Sequence, residues 1–391
     1  MKQKTHPGLA GSLPRIDPDP LHCVIVGCGK VAQKHLTAIK YHRTDLFLSA
    51  LVDTNPEAAR TLLRQAGYSG TAAAYVPVYR SLDELFSHEK PDIVAITTPS
   101  GSHYGLAKAA LQAGAHVFVE KPLTLSLPEA DELIALAAEN ALQITVGHIY
   151  RFFPMVRAIE ADLRKGRFGR VLYGDVKVRW GHDQAYYDAA AWRGTWAQDG
   201  GALMNQSIHA LDLMTWLLGG SVIEVSGWID RQMHQIEAED LGLAMLKLDN
   251  GAYCLLEGTT NTDPRHPEAS FNIECSAGEI RAGLRDGRPM IRITDRRGRH
   301  LTGRYLRQFL KQTWHQGGAK AFLQLKNPHS AIYDDLVRAI NEQRSPLADG
   351  LSGRQAVAAV LAIYASASLK RTVRLPLDDF ALSEMEGFFP R

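Results

Sequence analysis

The sequence predicts an α/β protein: an N-terminal Rossmann-type, doubly wound parallel sheet, then an α+β domain with a large, mostly antiparallel sheet. Three observations predict it. The run Gly27-Cys28-Gly29-Lys30-Val31-Ala32 follows a short apolar stretch and opens a helical pattern. Up to residue 150, apolar runs alternate with helical stretches, the rhythm of parallel strands joined by crossover helices. Past Pro154 the runs lengthen and alternate apolar with polar residues, as half-buried antiparallel strands do. The boundaries expected are a tail over 1–20, the first domain over 21–150, the second over 151–375 and a closing tail over 376–391.

The first strand, "LHCVIV", delivers the turn G-x-G-x-x-A. Its first glycine permits the tight turn, its second lets a pyrophosphate approach the backbone, and small Ala32 lets helix and strand pack closely. The second strand, "FLSALVD", ends in Asp53, 24 residues beyond Gly29, where a carboxylate can accept hydrogen bonds from a ribose diol. "PDIVAITTPS" is a third strand ending in Thr97, Thr98, Pro99 and Ser100, and "HYGLAKAALQAG" a helix from His103 to a stop at Gly114. "HVFVEKP" brings Glu120, Lys121 and Pro122 to the end of another strand; the helix "LPEADELIALAAENA" and the strand "LQITVGHIYRF" complete the series. Ligands in such sheets sit beyond the carboxyl ends of the strands, so Gly27, Asp53, Thr97, Glu120-Lys121 and His148 to Arg151 all point to one cleft. Asp53 selects NAD over NADP, because a ribose phosphate beside it meets like charge and Thr54 and Asn55 offer no compensating arginine.

The second half offers the strands "VLYGDVKVRWG", "VIEVSGWID", "LGLAMLKLDNG" and "AYCLLEGTT". Between the first two, Gly200-Gly201 precede a helix stopped by Gly219-Gly220, on which Asn205, His209 and Asp212 share one face. Such a polar stripe is either a core histidine satisfied by its neighbours or part of a site. Further on, Arg281 to Lys320 holds eleven Lys/Arg against only Asp286 and Asp295, read as a solvated hairpin and loop, or as a surface meeting anionic groups.

Composition narrows the partners. With 44 basic and 42 acidic residues the net charge is +2, so no global field draws nucleic acid or a membrane. The four cysteines, Cys23, Cys28, Cys254 and Cys275, show no C-x-x-C pair and no metal-ligand spacing, which predicts no metal and a reducing, cytoplasmic setting. The first 20 residues carry four prolines and no apolar core of signal-peptide length. "AVAAVLAIYASASL", Ala356 to Leu369, falls short of the roughly 20 residues of a membrane span and reads as a packed helix.

Taken together, the glycine turn, the Glu120-Lys121-Pro122 strand end and the Gly-Gly…His-x-x-Asp helix resemble the Gfo/Idh/MocA family of nicotinamide-dependent oxidoreductases, over residues 21 to 375. The resemblance implies that Lys121 is the active-site lysine and His209 the catalytic histidine, with substrate contacts from Asn205, Lys121, His209 and Arg151. It implies NAD contacts from Gly27, Gly29, Lys30 and Val31 at the first turn and from Asp53. Further NAD contacts would come from Thr97, Thr98, Pro99 and His103 and from Glu120 and Lys121; Lys30 and Arg193 either contact phosphate or nicotinamide ribose or stand as solvated cations. Many relatives that oxidise polyols have aspartate where this chain has Asn205; the amide is similar to the branch that oxidises the 3-hydroxyl of UDP-linked N-acetylated sugars.

The expected activity is therefore NAD-dependent oxidation of UDP-N-acetylglucosamine, or its uronic acid, to the 3-keto sugar. That product would feed amino-sugar and lipopolysaccharide synthesis through a partner aminotransferase. The resemblance also implies a homo-oligomer, dimer or tetramer, assembled through the second sheet. Lys121 as a cation would lower the alkoxide's energy and neutral His209 would take the proton, although the two roles can be exchanged. The alternatives are a dehydrogenase of a free polyol or aldose, an NAD-recycling glycosidase, and a non-catalytic cofactor-binding regulator.

Overall fold

The computed structural model describes residues 19–68, 75–324, 327–377 and 380–390, so the expected leading tail lies almost wholly outside the described residues. The first sheet contains β1 (Leu21–Val26), β2 (Leu46–Val52), β3 (Val78–Tyr79), β4 (Ile93–Ile96), β5 (His116–Val119) and β6 (Ile144–Val146). Its order is β3-β2-β1-β4-β5-β6, with every pairing parallel. Crossover helices α1 (Ala32–Tyr41), α2 (Pro56–Gln65), α3 (Leu82–His88), α4 (His103–Gln112) and α5 (Leu127–Glu139) cover the sheet. Both faces of the central strands are thereby buried, which is why β1, β4 and β5 read as unbroken apolar runs. The strand order turns back on itself between β1 and β4, and the crevice at that reversal is the place such a sheet offers a ligand.

The last element of this domain is shorter than its sequence pattern predicts. β6 stops at Val146, and Ile149–Phe152 form a 3₁₀ turn before α6 (Pro154–Arg164), which Pro154 opens at the first helical position, where its missing N–H costs no bond.

The second sheet holds β7 (Val171–Arg179), β8 (Val222–Asp230), β9 (Leu241–Leu248), β10 (Tyr253–Thr259), β11 (Glu268–Cys275), β12 (Gly278–Arg285), β13 (Arg288–Asp295) and β14 (Val373–Arg374). Its order is β13-β12-β11-β7-β10-β9-β8-β14, and only the β7–β10 pairing is parallel. Alternation along the strands sends one set of side chains into the core. There they meet α8 (Ile208–Leu218) and α11 (Gly350–Leu369), which contains the predicted packed helix. The opposite set leaves Tyr173, Trp228, Leu243, Met245, Tyr253 and Leu255 exposed on the outer face. Between β7 and β8 lies the short helix α7 (Gln184–Asp188).

Two expectations need correction here. The basic segment is a hairpin, β12–β13, followed not by a loop but by the long helix α9 (Thr302–Gln324). The closing stretch from 376 is not a free tail: Leu382 and Met385 are buried, Ala381 bridges to Ser126, and the Phe389 ring lies over Trp196. The chain also crosses the expected domain boundary. Helix α10 (His329–Glu342) packs against α1, and its Ile332, Tyr333 and Leu336 join the core of the first domain. Among the described residues no helix is long and apolar enough to cross a membrane.

Candidate active site

A cleft of about 930 Å³ opens at the carboxyl ends of β1, β4 and β5. Gly27 turns the chain with φ +87°, and a Cβ there would lie 2.7 Å from the Thr98 methyl group, so only glycine lets β1 and β4 end so close together. At Gly29 a Cβ would meet nothing within 4 Å, so the second glycine leaves its backbone bare to the cleft. Asp53 braces this turn: Oδ2 accepts from the Cys28 N–H at 2.7 Å and Oδ1 from the Asn55 N–H at 2.8 Å. Each oxygen keeps a lone pair for a ribose hydroxyl. Lys30, Val31, Thr97, Thr98, Pro99, Glu120, Lys121 and Arg193 line the same space. An exposed-backbone turn with a fixed carboxylate one strand away fits an adenine dinucleotide.

The other end of the cleft is assembled across the two domains. Lys121, joined to Pro122 by a cis peptide bond, reaches from the end of β5 to Asn205. Its Nζ donates to the Asn205 main-chain oxygen at 2.5 Å and to Oδ1 at 3.3 Å. Asn205 belongs to a π-helical turn, Ala202–Ser207, that precedes α8. That turn rests on Gly242 and Gly258, which face each other across β9 and β10. Side chains there would strike Leu203 and Ser207, so the glycine pair sets the depth at which Asn205 sits.

His209 follows one turn later and lines the cleft. Its Nδ1 is enclosed without a partner, and neither ring nitrogen makes a hydrogen bond among the described residues. Burial, and then the Lys121 charge, hold the imidazole well below the usual histidine range, so it is neutral near neutral pH. Burial also lowers Lys121, against the opposing pull of Glu120 and Asp199.

Glu120 is the hub behind the lysine. Its Oε1 accepts from His35 Nε2 at 3.0 Å and from His329 Nε2 at 2.9 Å, and the Tyr333 hydroxyl meets the other nitrogen of His35 at 3.0 Å. Burial alone would raise Glu120, but the two imidazoles hold it well below the usual carboxylate range, while burial pushes His35 down to about 4. The three side chains have the makeup of a metal site. Both nitrogens close on one oxygen at 3.0 and 2.9 Å, the lengths of two hydrogen bonds to a shared acceptor.

Two of the expected site residues stand elsewhere. Arg151 is buried outside the cleft: Nε and Nη2 donate to the Asp212 carboxylate at 2.8 and 2.6 Å, and Nη1 to the Leu347 carbonyl. Three of its five N–H donors are committed there, and its side chain does not line the cleft. Asp212 gives both carboxylate oxygens to Arg151, so it serves as a buried ion-pair partner while Asn205 and His209 line the cleft. His103 is also buried, its ring nitrogens 2.7 and 3.0 Å from the carbonyl oxygens of Pro122 and Thr98. It ties β4 to β5 and does not line the cleft.

Sequence reasoning missed Asp199, buried beside Asn205, and His329, which lines the cleft from a helix 209 residues beyond Glu120. It also missed Arg80, which brings a cation to the Asp53 end of the cleft. Asp199 immediately precedes the glycine pair, a signal that was readable; the other two depend on tertiary contacts alone.

Comparison with known proteins agrees with this geometry. Residues 21–148 match the family model of the Gfo/Idh/MocA oxidoreductase family, NAD-binding Rossmann fold, and residues 156–281 match the Gfo/Idh/MocA C-terminal domain. The crystal structure of the WlbA dehydrogenase from Bordetella pertussis, in complex with NADH and UDP-GlcNAcA, superposes with a TM-score of 0.81 at 30% identity, covering 93% of this chain and 100% of that one. A UDP-N-acetylglucosamine 3-dehydrogenase of Acidithiobacillus ferrooxidans is 26% identical over 87% of this chain and 95% of its own length. A 1-carboxy-3-chloro-3,4-dihydroxycyclohexa-1,5-diene dehydrogenase of Comamonas testosteroni is 32% identical, but the match spans only 58% of this chain and 55% of that relative.

Proposed function

The chain belongs to the Gfo/Idh/MocA family of NAD-binding oxidoreductases, and from that premise we propose that it oxidises the 3-hydroxyl of a UDP-linked N-acetylated sugar, UDP-N-acetylglucosamine or its uronic acid, to the 3-keto sugar. The observation that carries this reading is the amide of Asn205 held against Lys121 beside a neutral His209. Similarity to the Bordetella pertussis and Acidithiobacillus ferrooxidans proteins supports the substrate class.

Bound NAD supplies the hydride acceptor. The chain does the rest. Lys121 Nζ has three protons and two are committed to Asn205, which leaves one to stabilise charge developing on the substrate oxygen. His209 takes the hydroxyl proton at a ring nitrogen, its Nδ1 being enclosed and Nε2 the one open to the cleft. Asn205 orients the sugar without adding a negative charge next to a diphosphate. The product, a 3-keto sugar, calls for a transaminating enzyme downstream. A second copy of the chain covers the exposed apolar residues of the outer sheet face, giving a homo-oligomer.

The test is a panel of UDP-N-acetylglucosamine, its uronic acid, free glucose and inositol with NAD, followed by NADH absorbance and mass spectrometry of the sugar. A 3-keto nucleotide sugar with stoichiometric NADH is the expected result. Turnover of free sugars alone would establish the polyol reading, and free sugar released without NADH the NAD-recycling glycosidase.

A further inference from the structure

We propose that Asp199 is a positioning residue for this oxidation: its carboxylate fixes the orientation of the Asn205 amide toward Lys121 and thereby dictates an amide at position 205. The inference rests on the dehydrogenase reading above.

Asp199 is buried, only 2% exposed. One of its oxygens, Oδ2, accepts from the Gly194 N–H at 2.9 Å, and the Asp199 N–H donates to the Thr195 carbonyl at 3.1 Å, so the loop itself holds the side chain in place. The other oxygen, Oδ1, accepts from Asn205 Nδ2. That bond assigns the amide, because a carboxylate can only accept and the group facing it must donate. Asn205 Oδ1 is consequently turned to the opposite side, where Lys121 Nζ and Gln206 Nε2 each donate to it at 3.3 Å.

A carboxylate at 205 would set an acceptor against an acceptor and a second negative charge against the first. Two carboxylates so close do not both ionise, and one keeps its proton to higher pH. The same geometry makes the order reversible: an amide at 199 would serve a carboxylate at 205 equally well, with the negative charge moved next to Lys121.

The surroundings make the pair sensitive to protonation. Lys121 faces Asp199 from the end of β5, Arg193 from the preceding loop, Tyr186 and Tyr187 from α7, and Glu239 from the approach to β9. Burial raises Asp199 to about 6, against the Gly194 hydrogen bond and the Lys121 charge. Its ionised form in turn supports the lysine cation.

The experiment compares the wild type with Asp199→Asn, Asn205→Asp and the double exchange, after NAD titration and thermal melting have shown each to be folded. Two readouts are taken: kcat against pH with the best sugar of the panel, and the titration of Lys121 itself, by pH-dependent acetic anhydride labelling and peptide mass spectrometry. Each single variant should lose up to about 100-fold in kcat through a misplaced reacting geometry. Asp199→Asn should also let Lys121 titrate at lower pH than in the wild type. The double exchange should recover kcat to within about 10-fold of the wild type, and return the lysine titration toward higher pH. A double exchange no better than the worse single variant, or a Lys121 titration unmoved by Asp199→Asn, overturns the proposal. If the wild type turns over no nucleotide sugar, the substrate reading fails by itself, and the lysine titration still decides the role of Asp199.

Discussion

Arg151 and Asp212 form a bidentate ion pair, with bonds of 2.8 and 2.6 Å, enclosed between the first domain and α8. The pair fastens the turn after β6 to the helix that carries His209. Removing one partner leaves the other charge buried and unpaired. Asp212→Ala should cost about 3–5 kcal/mol in urea unfolding, and Arg151→Met combined with Asp212→Leu should cost less than either single change. A double variant as unstable as Asp212→Ala would show that packing, not charge, dominates here.

Under the proposed oxidation, Lys121→Ala removes the cation that would face the reacting oxygen but leaves the glycine turn and Asp53 untouched. Turnover should fall by about 10²–10³ while the NAD affinity, read by fluorescence titration, stays within about twofold. Parallel losses in both would place Lys121 in cofactor binding instead.

If Asp53 receives the ribose hydroxyls as proposed, Asp53→Ala takes away that acceptor together with the brace on the Cys28 N–H, so NAD binding should weaken. Discrimination against NADP should weaken too, and further than the sequence neighbours Thr54 and Asn55 suggest, because Arg80 lines the same end of the cleft. Asp53→Ala with Arg80→Ala should gain less NADP affinity than Asp53→Ala alone, as measured by calorimetric titration.

The first domain was readable because its signals are local. The glycine turn, Asp53 and Glu120-Lys121 each lie at the end of a buried strand, and strand ends converge by topology whatever the loops do. The second half of the site was read less well. Helical spacing put Asn205, His209 and Asp212 on one face, but the turn through Asn205 is π-helical, and Asp212 is engaged by Arg151 and does not line the cleft. Arg151 and His103 carry the right chemistry in the segments that follow β6 and β4, yet their partners, Asp212 and the carbonyls of Pro122 and Thr98, are visible only in three dimensions. The His35–Glu120–His329 hub spans 294 residues of chain and leaves no local pattern to detect.

Glu239 supplies a pH dependence with a definite sign. It is buried under the π-helical turn, where Oε1 accepts from the Leu203 N–H at 2.7 Å and from the Tyr364 hydroxyl at 2.9 Å, and burial pushes its carboxyl up to about 8. The folded form therefore binds a proton that the unfolded chain releases near its ordinary value of 4.5. The resulting stability is fully present below that value and is lost as pH rises toward 8, at about 1.4 kcal/mol per pH unit at most. The midpoint of urea unfolding should fall between pH 5 and pH 8 in the wild type and fall less in Glu239→Gln. Equal slopes for the two proteins would mean that Glu239 is not protonated in the fold.

The outer face of the second sheet gives the last prediction. Along β8, β9 and β10 the residues pointing away from the core include Trp228, Leu243, Met245 and Leu255, with Trp228 opposite Leu243 and Met245 opposite Leu255 in the strand register. Polar positions would be the ordinary choice on a solvated face, and contiguous apolar ones mark a surface that another molecule covers. A second copy of the chain presents the same sheet, and two such faces can bury each other. Leu243→Glu places a charge in the middle of that contact without touching the core, so it should shift the sedimentation coefficient toward the monomer while the melting of the fold at low concentration changes little. An unchanged sedimentation profile at micromolar concentration, or a wild type that sediments as a monomer, would rule this face out as the contact between copies.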